Sequence, residues 1–221
     1  LFVVFAGCAQ PKAPDDAFVA AADKLRPATI LLTMNVAGDT KKSGPDTEYA
    51  TGMIVASGRW GSDILTVEHA LEHTWNQRVT VGNKRKFPFH VVAQDGDLDI
   101  ALVRTAGKNL PVAKLGSSSD ARPGKLVGLL GYPIPDEFEN EGLGLATSLN
   151  SGRISALRPD AIEVTLTIVP GESGGPVFLA DTGEVIGIAE SRFEDERSIG
   201  FVLPVDDAKR FLHKHDAGHG L

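Results

Sequence analysis

From residue 28 onward the chain is a succession of short apolar, β-branched runs broken by glycine, proline and asparagine, and this rhythm constrains the fold more than any other feature. Strands are expected at 30–37, 49–56, 63–67, 78–81, 87–93 and 100–103. Residues 105–123, with Lys108, Pro111, Ser117 to Ser119 and Pro123, read as a polar, turn-rich crossing. A second set of strands follows at 126–130, 144–149, 153–157, 162–168, 176–179, 185–189 and 199–203. Strands repeated this closely, with little helical periodicity between them, fit antiparallel sheets closed on themselves, because closure removes edges that would otherwise pair with other chains. The expected fold is all-β, with one barrel over about 24–108 and another over about 120–203. Two helices bracket it. Phe18, Ala21, Ala22 and Leu25 have helical spacing up to a stop at Pro27, and 205–213 repeats the pattern with Pro204 at its start and Ala208, Phe211 and Leu212 facing inward.

Composition bounds what such a chain does. At 221 residues and 42% hydrophobic content it buries a sizeable core as one domain or a tightly joined pair. A net charge of −7 supplies no basic face for phosphates, so no nucleic-acid partner is expected. Cys8 is the only cysteine, which excludes an internal disulfide and a cysteine-based zinc site. The apolar run 1–8 is too short to span a bilayer and reads as the end of a secretory signal. Within it Phe5-Ala6-Gly7-Cys8 resembles a lipobox, with phenylalanine in place of the usual leucine, which makes Cys8 the expected lipidation site. A cut signal peptide or a truncated gene start is the alternative. Residues 9–17, with prolines at 11 and 14, read as a tether from this membrane anchor to a domain over 18–213, followed by a tail over 214–221. His213, His215 and His219 read as a solvated end and not a metal site, and Lys84-Arg85-Lys86 as a solvated edge or turn.

The chemistry concentrates in Pro170-Gly171-Glu172-Ser173-Gly174-Gly175-Pro176, which presents one serine inside a glycine-rich turn between strand-like runs. A serine hydroxyl is a weak nucleophile and needs a general base, a group to orient that base, and donors for the oxyanion. Glycines free the backbone to aim the N–H groups of Gly171 and Ser173 at one developing charge. Asp-Ile-Leu-Thr-Val-Glu-His runs an apolar strand into His69, and Asp-Gly-Asp-Leu-Asp-Ile-Ala-Leu-Val puts Asp99 at the mouth of another. Taken singly, each is an ordinary histidine, loop acid or surface serine. Taken together they supply a base, an orienter and a nucleophile, each beside a strand.

Three motifs, Thr66-Val67-Glu68-His69-Ala70, Asp99-Ile100-Ala101-Leu102-Val103 and Gly171-Glu172-Ser173-Gly174-Gly175-Pro176, resemble the histidine, aspartate and serine motifs of trypsin-like serine proteases, nearest the bacterial HtrA/Deg branch. Supporting matches are Thr51-Gly52-Met53-Ile54-Val55, Gly183-Glu184-Val185-Ile186-Gly187-Ile188 and Ile199-Gly200-Phe201-Val202-Leu203-Pro204. The resemblance covers roughly 24–212. It implies two six-stranded barrels with the triad His69, Asp99 and Ser173 between them, an oxyanion hole from the Gly171 and Ser173 amides, and polypeptide substrates. No cofactor is implied. It also implies an extracytoplasmic, bacterial setting, periplasm or cell surface, with a role in protein quality control or processing. Thr167, Ile168, Val169, Pro170, Ile188, Ala189 and Glu190 are the implied walls of the pocket for the residue before the cut. Ile168, Val169 and Ile188 favour a small or medium apolar side chain there, and Glu190 a basic one if it points inward.

Glu172 departs from the family, which has Asp or Asn there, and no Ile-Val-Gly-Gly activation sequence is present. Activation is therefore expected through loop ordering and not propeptide cleavage. Eight residues follow His213, so no peptide-binding PDZ module is expected in this chain. Besides an active endopeptidase, two readings stand: an inert binding module that keeps the fold, and an esterase in which Gly171-x-Ser173-x-Gly175 is a nucleophile elbow. The last needs a helix directly behind the serine. Oligomeric state is left open by the sequence.

Overall fold

The protein is described by a computed structural model over residues 14–38, 45–81, 85–190 and 199–215. Cys8, Lys84, His219 and most of the expected tether and tail lie outside the described residues. Among the described residues twelve strands form two closed antiparallel barrels of six. The first is built from β1 (Thr29–Val36), β2 (Asp46–Gly58), β3 (Gly61–Thr66), β4 (Trp75–Val81), β5 (Arg85–Asp95) and β6 (Ile100–Thr105), in the order β1-β2-β3-β6-β5-β4, and closes through β1 on β4. The second is built from β7 (Leu126–Gly131), β8 (Ser148–Leu157), β9 (Ile162–Val164), β10 (Pro176–Leu179), β11 (Val185–Glu190) and β12 (Gly200–Pro204), in the order β10-β11-β12-β9-β8-β7. The all-β fold, the two six-stranded barrels and the helix at each end are as the sequence predicts.

Alternation decides which side chains fill each barrel. Along β1, Ile30, Leu32 and Met34 point inward and join one large core, whereas Leu31, Thr33 and Asn35 share the opposite face. The second barrel encloses its own core of Val127, Leu129, Ile154, Val164, Val177, Leu179 and Ile186. Side chains of this kind each stabilise the fold by about 1.5–3 kcal/mol on burial.

Helices seal the outer faces. In α1 (Pro14–Leu25) Phe18 stacks on Phe178, whose ring points out of the second barrel, with centroids 5.7 Å apart. Gly128 makes room, since a Cβ there would collide with the Phe178 ring and lie 2.8 Å from Phe18. The helix begins at Pro14, so the last residues assigned to the tether belong to its first turn. At the other end α3 (Val205–His215) buries Val205, Ala208, Phe211 and Leu212. His215 packs on the Phe211 ring at 4.8 Å. Among the described residues no helix is long and apolar enough to cross a membrane.

Three elements differ from the sequence reading. The runs expected at 144–149 and 153–157 become one strand, β8, which starts only at Ser148 and continues through Gly152, a packing glycine and not a break: a Cβ there would press on Leu166 at 3.0 Å. The run 162–168 leaves the ladder after Val164, where the Thr165 hydroxyl captures the Arg153 amide at 2.9 Å. Between β7 and β8 stands an unexpected short helix, α2 (Pro135–Asn140), which has proline at its start and Asp136 and Glu137 in its first turn.

Candidate active site

β3 delivers His69. The strand ends at Thr66, and the chain turns into a single helical turn over His69–Leu71, fixed by the Leu71 amide donating to the Glu68 carbonyl at 2.8 Å. Asp99 is aimed at it by the turn before β6, where Asp95 Oδ1 accepts from the amides of Asp97 and Leu98, both at 3.2 Å. Such side-chain turns are what aspartate does well. Asp99 itself takes φ 49°, a left-handed conformation that Asp and Asn tolerate better than other non-glycine residues.

The two side chains meet as an oriented pair. Asp99 Oδ2 lies 2.7 Å from His69 Nδ1, while Asp99 Oδ1 accepts from the His69 amide at 2.9 Å and the Glu68 amide at 3.1 Å. Three donors thus hold one carboxylate. Burial pushes the Asp99 carboxyl upward, but these hydrogen bonds and the imidazole outweigh it and leave Asp99 below the usual carboxylate range. The Asp99 hydrogen bond raises the His69 pKa, burial opposes it, and the charges of Asp99, Glu48 and Glu190 add to the rise.

The serine turn is tied to the first barrel through Thr51. Its amide donates to the Ser173 carbonyl at 2.9 Å, its hydroxyl donates to the Gly171 carbonyl at 2.6 Å, and the same hydroxyl accepts from the Tyr132 amide at 3.0 Å. Gly174, at φ 87°, fits so closely that a Cβ would collide with the Thr51 carbonyl and lie 2.5 Å from Thr66 Oγ1. Thr66 is three residues before His69, so this contact brings the serine turn against the strand that carries the histidine. From the second barrel the Gly174 amide donates to the Ala189 carbonyl and the Ala189 amide to the Gly175 carbonyl, both at 2.9 Å.

Ser173 is only 6% exposed. Among the described residues His69 hydrogen-bonds Asp99 and not Ser173, and neither the Gly171 nor the Ser173 amide is committed to an acceptor. Serine–histidine contacts in unliganded sites often tighten only when substrate arrives. Glu172 is buried, and its Oε2 accepts from the Val169 amide at 3.0 Å while its own amide donates to the Val169 carbonyl at 3.0 Å. Burial raises its pKa, with the Val169 amide opposing.

The expected pocket walls lie on either side of this turn. Thr167, Ile168 and Val169 are half-buried, Pro170 is exposed, and Ile188, Ala189 and Glu190 are buried at the end of β11. Gly200 admits Ile168, whose Cδ1 would be 2.9 Å from a Cβ there. Strand β10 directly follows the serine turn, which removes the nucleophile-elbow reading because that motif requires a helix. Thr51 and Glu48 also belong to the site, without a role expected from the sequence. Thr51 had a visible signal, a hydroxyl beside a glycine in the strand before the histidine, whereas Glu48 acts on His69 only through space.

Fold and site together define a double-barrel protein of the trypsin-like type, with a serine turn and a His–Asp pair at the seam of the barrels. The profile of the trypsin-like peptidase domain matches residues 50–188, and the chain belongs to that family. Its relatives are named as serine proteases. The putative serine protease HhoA of Synechocystis sp. is 35% identical over 161 residues, covering 70% of this chain and 40% of its own length. The probable periplasmic serine endoprotease DegP-like of Halomonas elongata is 32% identical over 156 residues, covering 66% of this chain and 31% of its own. The chain therefore spans well under half of the curated relatives it matches. Among solved structures, the serine endoprotease from Yersinia pestis superposes with TM-score 0.72 at 25% identity, covering 92% of this chain and 66% of its own. The HtrA-type protease AlgW with tripeptide gives 0.73 at 24% identity, covering 89% and 62%.

Proposed function

We propose that this chain is a serine endopeptidase of HtrA/Deg type that cleaves polypeptides through an acyl-enzyme. The observation that carries the reading is the three-donor grip on Asp99, which fixes His69 with Nδ1 bonded and leaves Nε2 as the nitrogen available for proton transfer. His69 takes the Ser173 proton as the hydroxyl oxygen bonds to the peptide carbonyl carbon, then gives it to the leaving amine as the C–N bond breaks. Water repeats the sequence on the ester and restores the serine. The Gly171 and Ser173 amides receive the oxyanion, a stabilisation of roughly 3–4 kcal/mol per donor in comparable sites. Asp99 holds the tautomer and stabilises the imidazolium without taking the proton. No step requires a cofactor.

Glu172 supports the view that the site does not wait for a freshly cut N-terminus, since its carboxyl already closes the turn on Val169. The names of the relatives support a periplasmic setting, and protein quality control or processing is the role proposed with it. The lipobox-like Phe5-Ala6-Gly7-Cys8 supports lipid attachment at Cys8. Soluble native protein with a free Cys8 thiol would remove the anchor and leave the protease assignment intact.

A second reading, an inert binding module, draws on the lack of a His69–Ser173 hydrogen bond among the described residues. A fluorophosphonate probe with peptide-library cleavage separates the two, using Ser173→Ala as control. Labelling at Ser173 and cleavage lost in the variant are expected. An unlabelled, inactive wild-type protein overturns the endopeptidase reading.

A further inference from the structure

Beside the serine turn, but sharing none of the seven expected pocket-wall residues, lies a groove of about 790 Å³. Its floor is the outward face of the first barrel, where the register sets Tyr49 opposite Thr33 and Thr33 opposite Arg78 across β2, β1 and β4. Its roof is the segment between β7 and β8, and Tyr49 reaches across to it, donating from its hydroxyl to Glu139 Oε2 at 3.3 Å. The groove is electrically polar. At the end nearer the site stands Glu139, and at the far end stand Arg78 and Lys86, neither ion-paired among the described residues. Lys86 is exposed, and the Arg78 guanidinium donates to the Gln77 carbonyl at 3.0 Å.

We propose that this groove binds the part of the substrate that follows the scissile bond, and that Arg78 and Lys86 select a carboxylate there. The inference rests on the endopeptidase reading and adds a specificity to it. Three observations carry it. The expected walls for the residue before the cut all belong to the second barrel, whereas Thr51 of the first barrel bonds the Ser173 carbonyl, so a chain crossing the seam leaves toward β2. β2 leads directly from the site to the groove, since Thr51 holds the Ser173 carbonyl and Tyr49, two residues earlier, lines the groove. The charge order is asymmetric: the acid near the site disfavours a carboxylate immediately after the cut, and the two cations favour one farther out. Two residues along β2 are about 7 Å and two strand spacings from β2 to β4 about 10 Å, so an extended substrate reaches Arg78 about five residues beyond the cut, with Lys86 one strand farther on β5. A side-chain carboxylate or a chain terminus has the same chemistry at that point.

The test uses quenched peptides of one sequence up to the cut, carrying Glu or Lys about five residues beyond it, with free or amidated C-termini. Wild-type protein is expected to favour Glu over Lys by about tenfold in kcat/KM, and Arg78→Gln with Lys86→Gln to lose the preference. The single charge reversal Lys86→Glu, at an exposed position, is expected to shift the preference toward Lys. Preference kept with amidated ends assigns the carboxylate to the side chain, and preference confined to free ends assigns it to the terminus. Activated ester substrates with no residues after the cut should be hydrolysed equally by all variants. Fluorescence anisotropy of the same peptides on Ser173→Ala protein reads the groove without turnover, so a failed protease reading and a failed groove are told apart. Wild-type protein that prefers neither Glu over Lys nor a free over an amidated end, or a preference unchanged in the variants, overturns the proposal.

Discussion

At His69 the electrostatics fix the direction of the pH response. As the proposed base, His69 works only as neutral imidazole, and its hydrogen bond to Asp99, reinforced by the charges of Asp99, Glu48 and Glu190, raises its pKa above the ordinary value of about 6.5. The acid limb of kcat/KM should therefore have its midpoint above about pH 6.5 and flatten beyond it. Asp99→Asn should move that midpoint down and cost on the order of 10⁴ in kcat. Rates across pH 5–9 check both, and a flat profile or a midpoint unmoved in the variant counts against the pair. Glu172 gives a second residue-scale prediction, with the opposite logic. Burial raises this carboxyl in the folded protein, so its contribution to stability is fully present below the unfolded value of about 4.5 and is lost as pH rises through the folded pKa. Glu172→Gln keeps an acceptor for the Val169 amide and removes the buried charge. The variant should match or exceed the wild-type Tm at pH 8, with the difference shrinking toward pH 4.5, and a lower Tm at pH 8 would show that the ionised form is needed.

At the scale of elements, β3 and β6 are joined by more than their backbone ladder. Asp63 and Arg104 are directly opposed in register, and the guanidinium grips the carboxylate with Nε–Oδ1 at 2.6 Å and Nη2–Oδ2 at 2.8 Å. Asp63 is 5% exposed, and Arg104 also lies over the Trp60 ring at 4.9 Å. The first of these strands ends three residues before His69, and the second begins directly after Asp99. Arg104→Ala leaves a buried carboxylate without its fork and should cost about 3 kcal/mol, measured by denaturant unfolding. Asp63→Asn with Arg104→Gln, which removes both charges, should cost less than Arg104→Ala alone. A cost under about 0.5 kcal/mol for Arg104→Ala would mean that the pair behaves as a surface ion pair.

Across the whole molecule the two barrels are registered by Thr51, a first-barrel residue bonded to Gly171, Tyr132 and Ser173 of the second. Thr51→Val keeps the shape and the β-branch but leaves the Tyr132 amide and Gly171 carbonyl without their partner. The expected loss is about 1–3 kcal/mol of stability. Because Gly171 is the proposed oxyanion donor, kcat should fall more than KM rises. Steady-state kinetics beside a thermal melt check this, and a variant of wild-type kcat would separate Thr51 from the positioning of the serine turn.

Local sequence by itself determined the strands, because alternation along β1 and the apolar run of β6 leave one burial pattern open, and it determined the packing faces of α1 and α3. The candidate residues were also legible, since a serine among glycines and two strand-end residues of the right chemistry stand out in the text of the chain. Where the sequence misled, at Gly152 and in the run ending at Val164, the deciding partners were Leu166 and Arg153, brought alongside only by the closing of a barrel. The meeting of His69 with Asp99, the hydroxyl of Thr51 under the serine turn, the reach of Glu48 and Glu190 to the imidazole, and the groove ending at Arg78 and Lys86 belong to the tertiary structure. Each joins residues far apart in the chain, and no local preference encodes which strands will share a seam.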